Sequence, residues 1–334
     1  MLGKNRKKIF IRIAAASCAA LTLALTGCSA KAVQQKPSVK LDKSSLSVLA
    51  GATGAIASAV SPSGKAATGK WSSDNPTVAT VADGVVTGVA AGNCKVTFSC
   101  DGAKASCQVT VSPSSTQTTV LMYHSIAYEP SNKLRVPAED FDKEMKWLHD
   151  NDYTALTPDE LCACLTGKTP FPQKSVMITL DDGYSDNYDN MYPTIKKYGL
   201  HATVFMITSK IDTNGFLSKA QLKEMSDSGY VSVESHTVTH PALSDLSYSA
   251  QLKEMTDAKK TLEDLTGKPV DYLAYPSGKY NKDSIAAAKA TGYKLCFLME
   301  GGTGGLTTDP YEFPRAFVDK NLNTLIDAAN GLGD

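Results

Sequence analysis

Two stretches of this 334-residue sequence hold the side chains best suited to chemistry. In ITLDDGYSD, residues 178–186, an apolar run ends in two adjacent carboxylates, Asp181 and Asp182, followed by Gly183. Like charges side by side repel, so a pair at the end of a buried strand needs something to relieve it. In ESHTVTH, residues 234–240, His236 and His240 stand four apart, and a helical turn there would aim both imidazoles at one point. The chain has five histidines, so two of them within one short segment is a concentration. Two imidazoles and one carboxylate, with a position left open for water, make the ligand set of a catalytic divalent metal, Zn2+ foremost, with Co2+ or Ni2+ as other occupants. An all-oxygen ion such as Ca2+ fits poorly.

A cation would relieve the acid pair. One carboxylate binds it, and the other, turned aside where Gly183 lets the backbone bend, stays free as a general base toward water. A glycosidase also uses two carboxylates, but needs them on opposite sides of the scissile bond, about 5–9.5 Å apart. Adjacent residues do not supply that.

The elements that must position these groups can be read from periodicity. From Thr119 onward, apolar segments near 120–123, 175–180, 202–207, 231–234, 271–275 and 294–298 read as strands. Between them lie helical patterns such as Phe141, Met145 and Leu148, or Leu252, Met255, Leu262 and Leu265. Thr157, Pro158 and Glu160 mark one helix start, and Ser218 with Gln221 marks another. Strands alternating with helices predict an α/β domain over residues 119–334, with a parallel sheet long enough to close into a barrel. Catalytic groups of such folds sit where strands end, as Asp181 and Asp182 do.

The preceding segment has another texture. Residues 38–112 are rich in Val, Thr, Ser, Ala and Gly, with short alternating runs such as TVATV (77–81) and KVTFS (95–99) between Gly, Asn and Asp turns. That predicts a small all-β sandwich, joined to the rest by a Ser/Thr/Pro linker over 113–118. Residues 1–27 carry a basic start and an apolar stretch from Ile13 to Leu25, short for a membrane span, and read as an export signal ahead of a polar tether, 28–37. The formal charge is zero, but that segment holds five basic residues and no acid, so the remainder is acidic by about five charges. An acidic mature chain is unsuited to nucleic acid. Hydrophobic content of 42% marks it as globular. Among eight cysteines there is no C-x-x-C. Cys162 and Cys164 form only a C-x-C, Cys94, Cys100 and Cys107 are near enough in sequence for one bridge, and all are read as structural or free thiols.

Three resemblances add to this reading. LTGCSA, residues 25–30, resembles the lipobox of bacterial lipoproteins, which implies cleavage before Cys28, lipidation there and anchoring at the outer face of the cell membrane. WSSDNPTVATVADGVVTGVAAG, residues 71–92, resembles the bacterial immunoglobulin-like domains of group 2, which act as spacers or adhesive modules. TLDDG (179–183), SHTVTH (235–240) and AYPSGKY (274–280) resemble the successive motifs of the polysaccharide deacetylase family, the NodB-homology domain of carbohydrate esterase family 4. That last resemblance spans roughly 120–320. It implies a distorted (β/α) barrel that removes N-acetyl groups from N-acetylhexosamine polymers, with Asp181 as base and Asp182, His236 and His240 as metal ligands.

The departures are informative. Leu180 stands where the family usually has Phe, an apolar exchange. Ser277 replaces an aromatic in the third motif, where the main-chain N–H helps hold the oxyanion, and a backbone donor survives a side-chain change. The usual C-terminal L-x-H is missing, while VLMYHSI (120–126) puts His124 at the end of the first strand. This resembles the circularly rearranged members that act on poly-β-1,6-N-acetylglucosamine, and it implies that His124 is the general acid. Arg315, in EFPRAF, is assigned to pair with Asp181 and keep it ionised. His149 and His201 have no such context.

The leading expectation is a monomeric, lipid-anchored, metal-dependent N-deacetylase of envelope or exopolysaccharide glycan. An O-acetyl esterase on envelope glycans and an inactive glycan-binding or adhesive lipoprotein are the alternatives. The intact acid pair and histidines weigh against the last.

Overall fold

The computed structural model describes residues 37–61 and 69–332, so the export signal and Cys28 lie outside the described residues. Among the described residues no helix is long and apolar enough to cross a membrane.

Residues 38–112 form the expected β structure. A four-stranded sheet (45–49, 103–112, 92–100, 70–73) and a three-stranded sheet (53–55, 85–88, 79–82) enclose Val86, Val96, Cys107, Val109 and Val111. Two of its hairpins turn on Asp-Gly, at Asp83-Gly84 and Asp101-Gly102, with both residues at positive φ. Ala82 pairs with Val85 and Cys100 with Ala103, so these are two-residue loops whose backbone twist matches the right-handed twist of the strands they join. No disulfide forms among the described cysteines. Cys94 pairs with Val109 and Cys107 with Val96, which leaves the two inward-facing thiols offset along the ladder.

The second part is built on seven parallel strands: β1 (Gln117–Tyr123), β2 (Ser175–Asp182), β3 (Ala202–Met206), β4 (Val231–Ser235), β5 (Tyr272–Ala274), β6 (Leu295–Gly301) and β7 (Phe313–Phe317). β1 pairs with β2 on one side and with β7 on the other, which closes the sheet into a barrel. A short strand at Thr154–Ala155 adds to β2, and Thr303–Gly305 runs antiparallel to β1. Six of the seven strands coincide with the predicted segments. β7 was not foreseen, because Pro314 interrupts its pattern and Pro is scarce inside sheets.

Alternation along the strands sorts their residues into two clusters. Leu121, Tyr123, Ile178, Leu180, Val204 and Met206 pack beneath the helices, against Phe141, Met145 and Leu148 of α1 (Ala138–Asp150) and Met255 and Leu262 of a long helix over Tyr248–Thr266. Val120, Met177, Phe205, Phe297 and Phe313 form the other, with Phe205 and Phe297 ring centroids 5.4 Å apart and Phe297 and Phe313 5.9 Å apart. The second cluster fills much of the barrel with rings, while Thr179 and Thr203, on the same faces of β2 and β3 as Met177 and Phe205, are buried polar exceptions.

α1 also carries a buried acid. Glu144 is fully buried and accepts a hydrogen bond from the Tyr123 hydroxyl at 3.0 Å, and burial pushes its carboxyl up to about 8. Between about pH 4.5 and 8 the folded chain therefore holds a proton that the unfolded chain gives up. The stability this group contributes is present in full below pH 4.5 and is lost as pH rises through 8. Glu144→Gln, which keeps the acceptor, is expected to remove that slope. Melting temperatures of the two proteins should diverge steadily from pH 5 to pH 8 in favour of the variant, and parallel curves would count against a neutral Glu144.

Candidate metal centre and active site

The site residues meet at the carboxyl ends of the strands. Tyr123 pairs with Leu180, so His124, the next residue, comes level with Asp181 on the neighbouring strand. Asp182 pairs with Met206 and Met206 with Ser235, so His236 follows at the next level across β4.

Asp182, His236 and His240 form a cluster in which one ligand atom from each lies within 4.8 Å of the others. The Asp182 Oδ1 is 3.6 Å from His236 Nε2 and 3.7 Å from His240 Nε2. His236 donates its Nδ1 proton to the Ala274 carbonyl at 2.8 Å, which leaves Nε2 as the lone-pair nitrogen facing Asp182. Burial lowers the His236 pKa, against the pull of the Asp181 and Asp182 charges, and so favours the neutral imidazole a cation requires. These donors fit a divalent metal ion.

The histidines do not converge through a helical turn, as the spacing suggested. Residues 236–240 are a loop in which Thr237 (φ 64°) and His240 (φ 60°) adopt left-handed conformations. Glu254, on the helix Tyr248–Thr266, pins this loop by accepting from the Val238 and Thr239 amides, each at 2.9 Å, and from the Thr239 hydroxyl at 2.8 Å. The turn after the acid pair likewise begins one residue earlier than expected, with Asp182 itself at φ 73° and Gly183 at 81°. A Cβ on Gly183 would sit 2.0 Å from the Met206 sulfur, so this position takes no side chain.

Asp181 points elsewhere. Its two oxygens accept from Arg315 in a bidentate pair, both at 2.7 Å, while its Oδ2 remains 4.0 Å from His236 Nε2. Both side chains are buried. Burial alone would push the Asp181 carboxyl up, but the Arg315 guanidinium, reinforced by His236 and His124, holds it well below the usual carboxylate range. Arg315 is fixed in turn by donation from Nε to the Leu298 carbonyl at 2.6 Å, beside an irregularity in the β6–β7 pairing, and from Nη1 to the Thr179 hydroxyl at 3.2 Å. Tyr184, two residues after Asp182, has its phenol pushed up to about 12 by burial and the Asp182 charge.

His124 is buried, and its Nδ1 has no hydrogen-bond partner among the described residues. Ser277 is exposed and follows β5 in a short turn, where its own φ of 52° is left-handed. His149 is exposed, with Nδ1 3.0 Å from the Tyr198 carbonyl, and His201 contacts the Ser232 hydroxyl at 3.0 Å, so neither joins the cluster. A cavity of about 360 Å3, lined by His201, Glu234, Asp271 and Tyr272 among others, contains none of the site residues. Glu254 was not legible beforehand, because an acid within an amphipathic helix reads as solvated.

Comparison with known proteins places this geometry in context. The profile of the polysaccharide deacetylases matches residues 168–296, and that of bacterial Ig-like domains (group 2) matches residues 36–111. The chain is 41% identical over 204 residues to YxkH of Bacillus subtilis (strain 168), a protein named for the same deacetylases, covering 61% of this chain and 72% of that one. It is 33% identical over 213 residues to the poly-beta-1,6-N-acetyl-D-glucosamine N-deacetylase of Staphylococcus epidermidis, covering 60% and 73%. The structure of the Streptococcus pyogenes deacetylase PplD in complex with acetate superposes with a TM-score of 0.61 at 30% identity, covering 64% of this chain and 98% of that one.

Proposed function

The chain belongs to the polysaccharide deacetylase family, with a group 2 Ig-like domain ahead of its deacetylase domain, and from that premise we propose that it is a metal-dependent N-deacetylase of an N-acetylglucosamine polymer. One observation carries the reading. A buried carboxylate kept ionised by Arg315 stands beside a three-donor cluster, Asp182, His236 and His240, at one end of the barrel.

The chemistry supplied by a divalent cation held by those three residues, with Zn2+ foremost, is Lewis acidity toward the acetyl carbonyl and the attacking water. Asp181 takes the proton from that water, and Arg315 holds its carboxylate ionised and oriented. The main-chain N–H at Ser277 donates to the developing oxyanion. His124 gives a proton to the leaving nitrogen, so that water and amide become acetate and a free amine. The relatives named poly-beta-1,6-N-acetyl-D-glucosamine N-deacetylases support a β-1,6-linked polymer as substrate, and the acetate bound to PplD matches the expected product. The Ig-like domain serves as a spacer, and a monomer anchored through lipidated Cys28 acts outside the cytoplasm. A mature protein whose mass lacks the lipid would remove that last part of the reading.

The test turns on His124. Amide cleavage needs a proton delivered to a poor leaving group, whereas an aryl acetate leaves without one. His124→Ala is expected to lower acetate release from N-acetylglucosamine oligomers by about 10²–10⁴-fold, while bound metal and aryl acetate hydrolysis are largely kept. Equal losses on both substrates would exclude His124 as the acid. Acetate release from O-acetylated glycans alone would favour the esterase.

A further inference from the structure

The segment that carries His124 is held on one side by the backbone of residues 134–136, where the Ser125 N–H donates to the Leu134 carbonyl at 3.2 Å and the Ser125 carbonyl accepts from the Val136 amide at 3.0 Å. On the other side it is held by side chains from a single turn. After Gly183, β2 runs into a π-helical turn, Asn187–Met191, preceded by Asp186. The Asp186 carboxylate accepts from the Ser125 hydroxyl at 2.6 Å through one oxygen and from the Ile126 amide at 2.8 Å through the other. Asn187 donates to the His124 carbonyl at 2.9 Å and, from the same amide nitrogen, to Asp186 at 3.1 Å. Asn190 donates to the Ile126 carbonyl at 2.7 Å. Three side chains thus grip three consecutive residues, 124 to 126.

That grip matters because no hydrogen bond aims the imidazole. Its Nδ1 is buried without a partner, and no described residue hydrogen-bonds to the ring. An acid is effective only when its proton lies on the line to the leaving nitrogen, and a ring with no hydrogen bond takes its aim from its own backbone. On the side facing the acid pair this backbone is held by Asp186 and Asn187, which lie on the same segment as Asp181 and Asp182. A π-helical turn adds a residue to the helical repeat, which rotates neighbouring side chains onto a common face. This accounts for Asp186, Asn187 and Asn190 reaching one target.

We propose that Asp186 is a positioning residue for the general acid, and that its turn, with Asn187 and Asn190, is a clamp that fixes the distance between the base and the acid. The proposal rests on the reading of His124 as that acid. Asp186 touches no reacting atom. It acts by geometry, so its charge is dispensable: Asn at this position can accept from the Ile126 amide through oxygen and donate to Ser125 through nitrogen.

Kinetics on N-acetylglucosamine oligomers and on an aryl acetate, with metal content and melting temperature measured alongside, test the clamp. Asp186→Ala is expected to lower kcat on the oligomers by about 10–100-fold, the loss typical of a small misplacement, with KM, metal content and aryl acetate turnover within about twofold. Asp186→Asn should restore most of the amide rate. In a His124→Ala background, Asp186→Ala should cost nothing further, because there is no acid left to aim. Ser125→Ala, which deletes one of the hydrogen bonds, should show a smaller loss in the same direction and serves if Asp186→Ala fails to fold. Additive losses in the double variant, or an Asp186→Asn enzyme as impaired as Asp186→Ala, would overturn the proposal. A full amide rate in His124→Ala alone would overturn the reading of His124 itself, which is a different result.

Discussion

His236→Ala and His240→Ala are each expected to lose the metal and, with it, acetate release. Removing the cation withdraws Lewis acidity worth several kcal/mol, so the rate should fall on the order of 10³-fold or more. His236 should be the more sensitive of the two. Its ring is buried and locked by the Ala274 carbonyl, whereas the His240 side chain is 30% exposed, so water can take its place more readily. Chelation of the unmodified enzyme should reproduce the loss, and added Zn2+ or Co2+ should reverse it in the unmodified enzyme but not in His236→Ala. Elemental analysis after dialysis checks the binding half of the prediction independently of activity. Undiminished acetate release from verified metal-free protein would leave the cluster without its assigned role.

The second large effect falls on stability. Arg315→Met removes the partner of a carboxylate that is only 2% exposed, and breaking such a buried pair costs about 3–5 kcal/mol. Denaturant midpoints should drop accordingly, and catalysis should fail because Asp181 loses the bidentate partner that orients it. Asp181→Asn should behave differently, keeping its metal while losing about 10²–10⁴-fold in rate. Combining the two substitutions removes the stranded charge, so the double variant should be more stable than Arg315→Met alone while remaining inactive. If Arg315→Met and the double variant melt together, the cost lies in lost packing against Phe205, whose ring centroid is 5.7 Å from the guanidinium carbon.

Much of this site could be read from the chain because its chemistry demands particular residue types. Asp181, Asp182, His236 and His240 are found by type and spacing, and the strands before them by apolar alternation. What stayed hidden is geometry that residue type does not encode. Left-handed backbone at Asp182, Thr237 and His240 is set by tertiary contacts, since none of these is a glycine that would announce it. β7 was masked by Pro314, yet it carries Arg315, so the ion pair was legible as a pairing but not as a strand that closes the barrel. The clamps at Glu254 and Asp186 were missed for a related reason. Each is an ordinary acid until folding brings backbone amides to it.

The closure of the barrel by β7 also orders events in time. Asp181 and its counterion are 134 residues apart, and β7 is the last strand of the barrel to be made. A nascent chain that has produced β1 to β6 holds every proposed metal ligand and the proposed acid, but its acid pair still lacks the one positive charge built to sit beneath it. Pairing of such distant segments comes late in folding because loop closure must precede the contact. The enzyme thus completes its base only when the final stave is set. A chain cut short before residue 313 would carry the familiar motifs intact and still have no working centre.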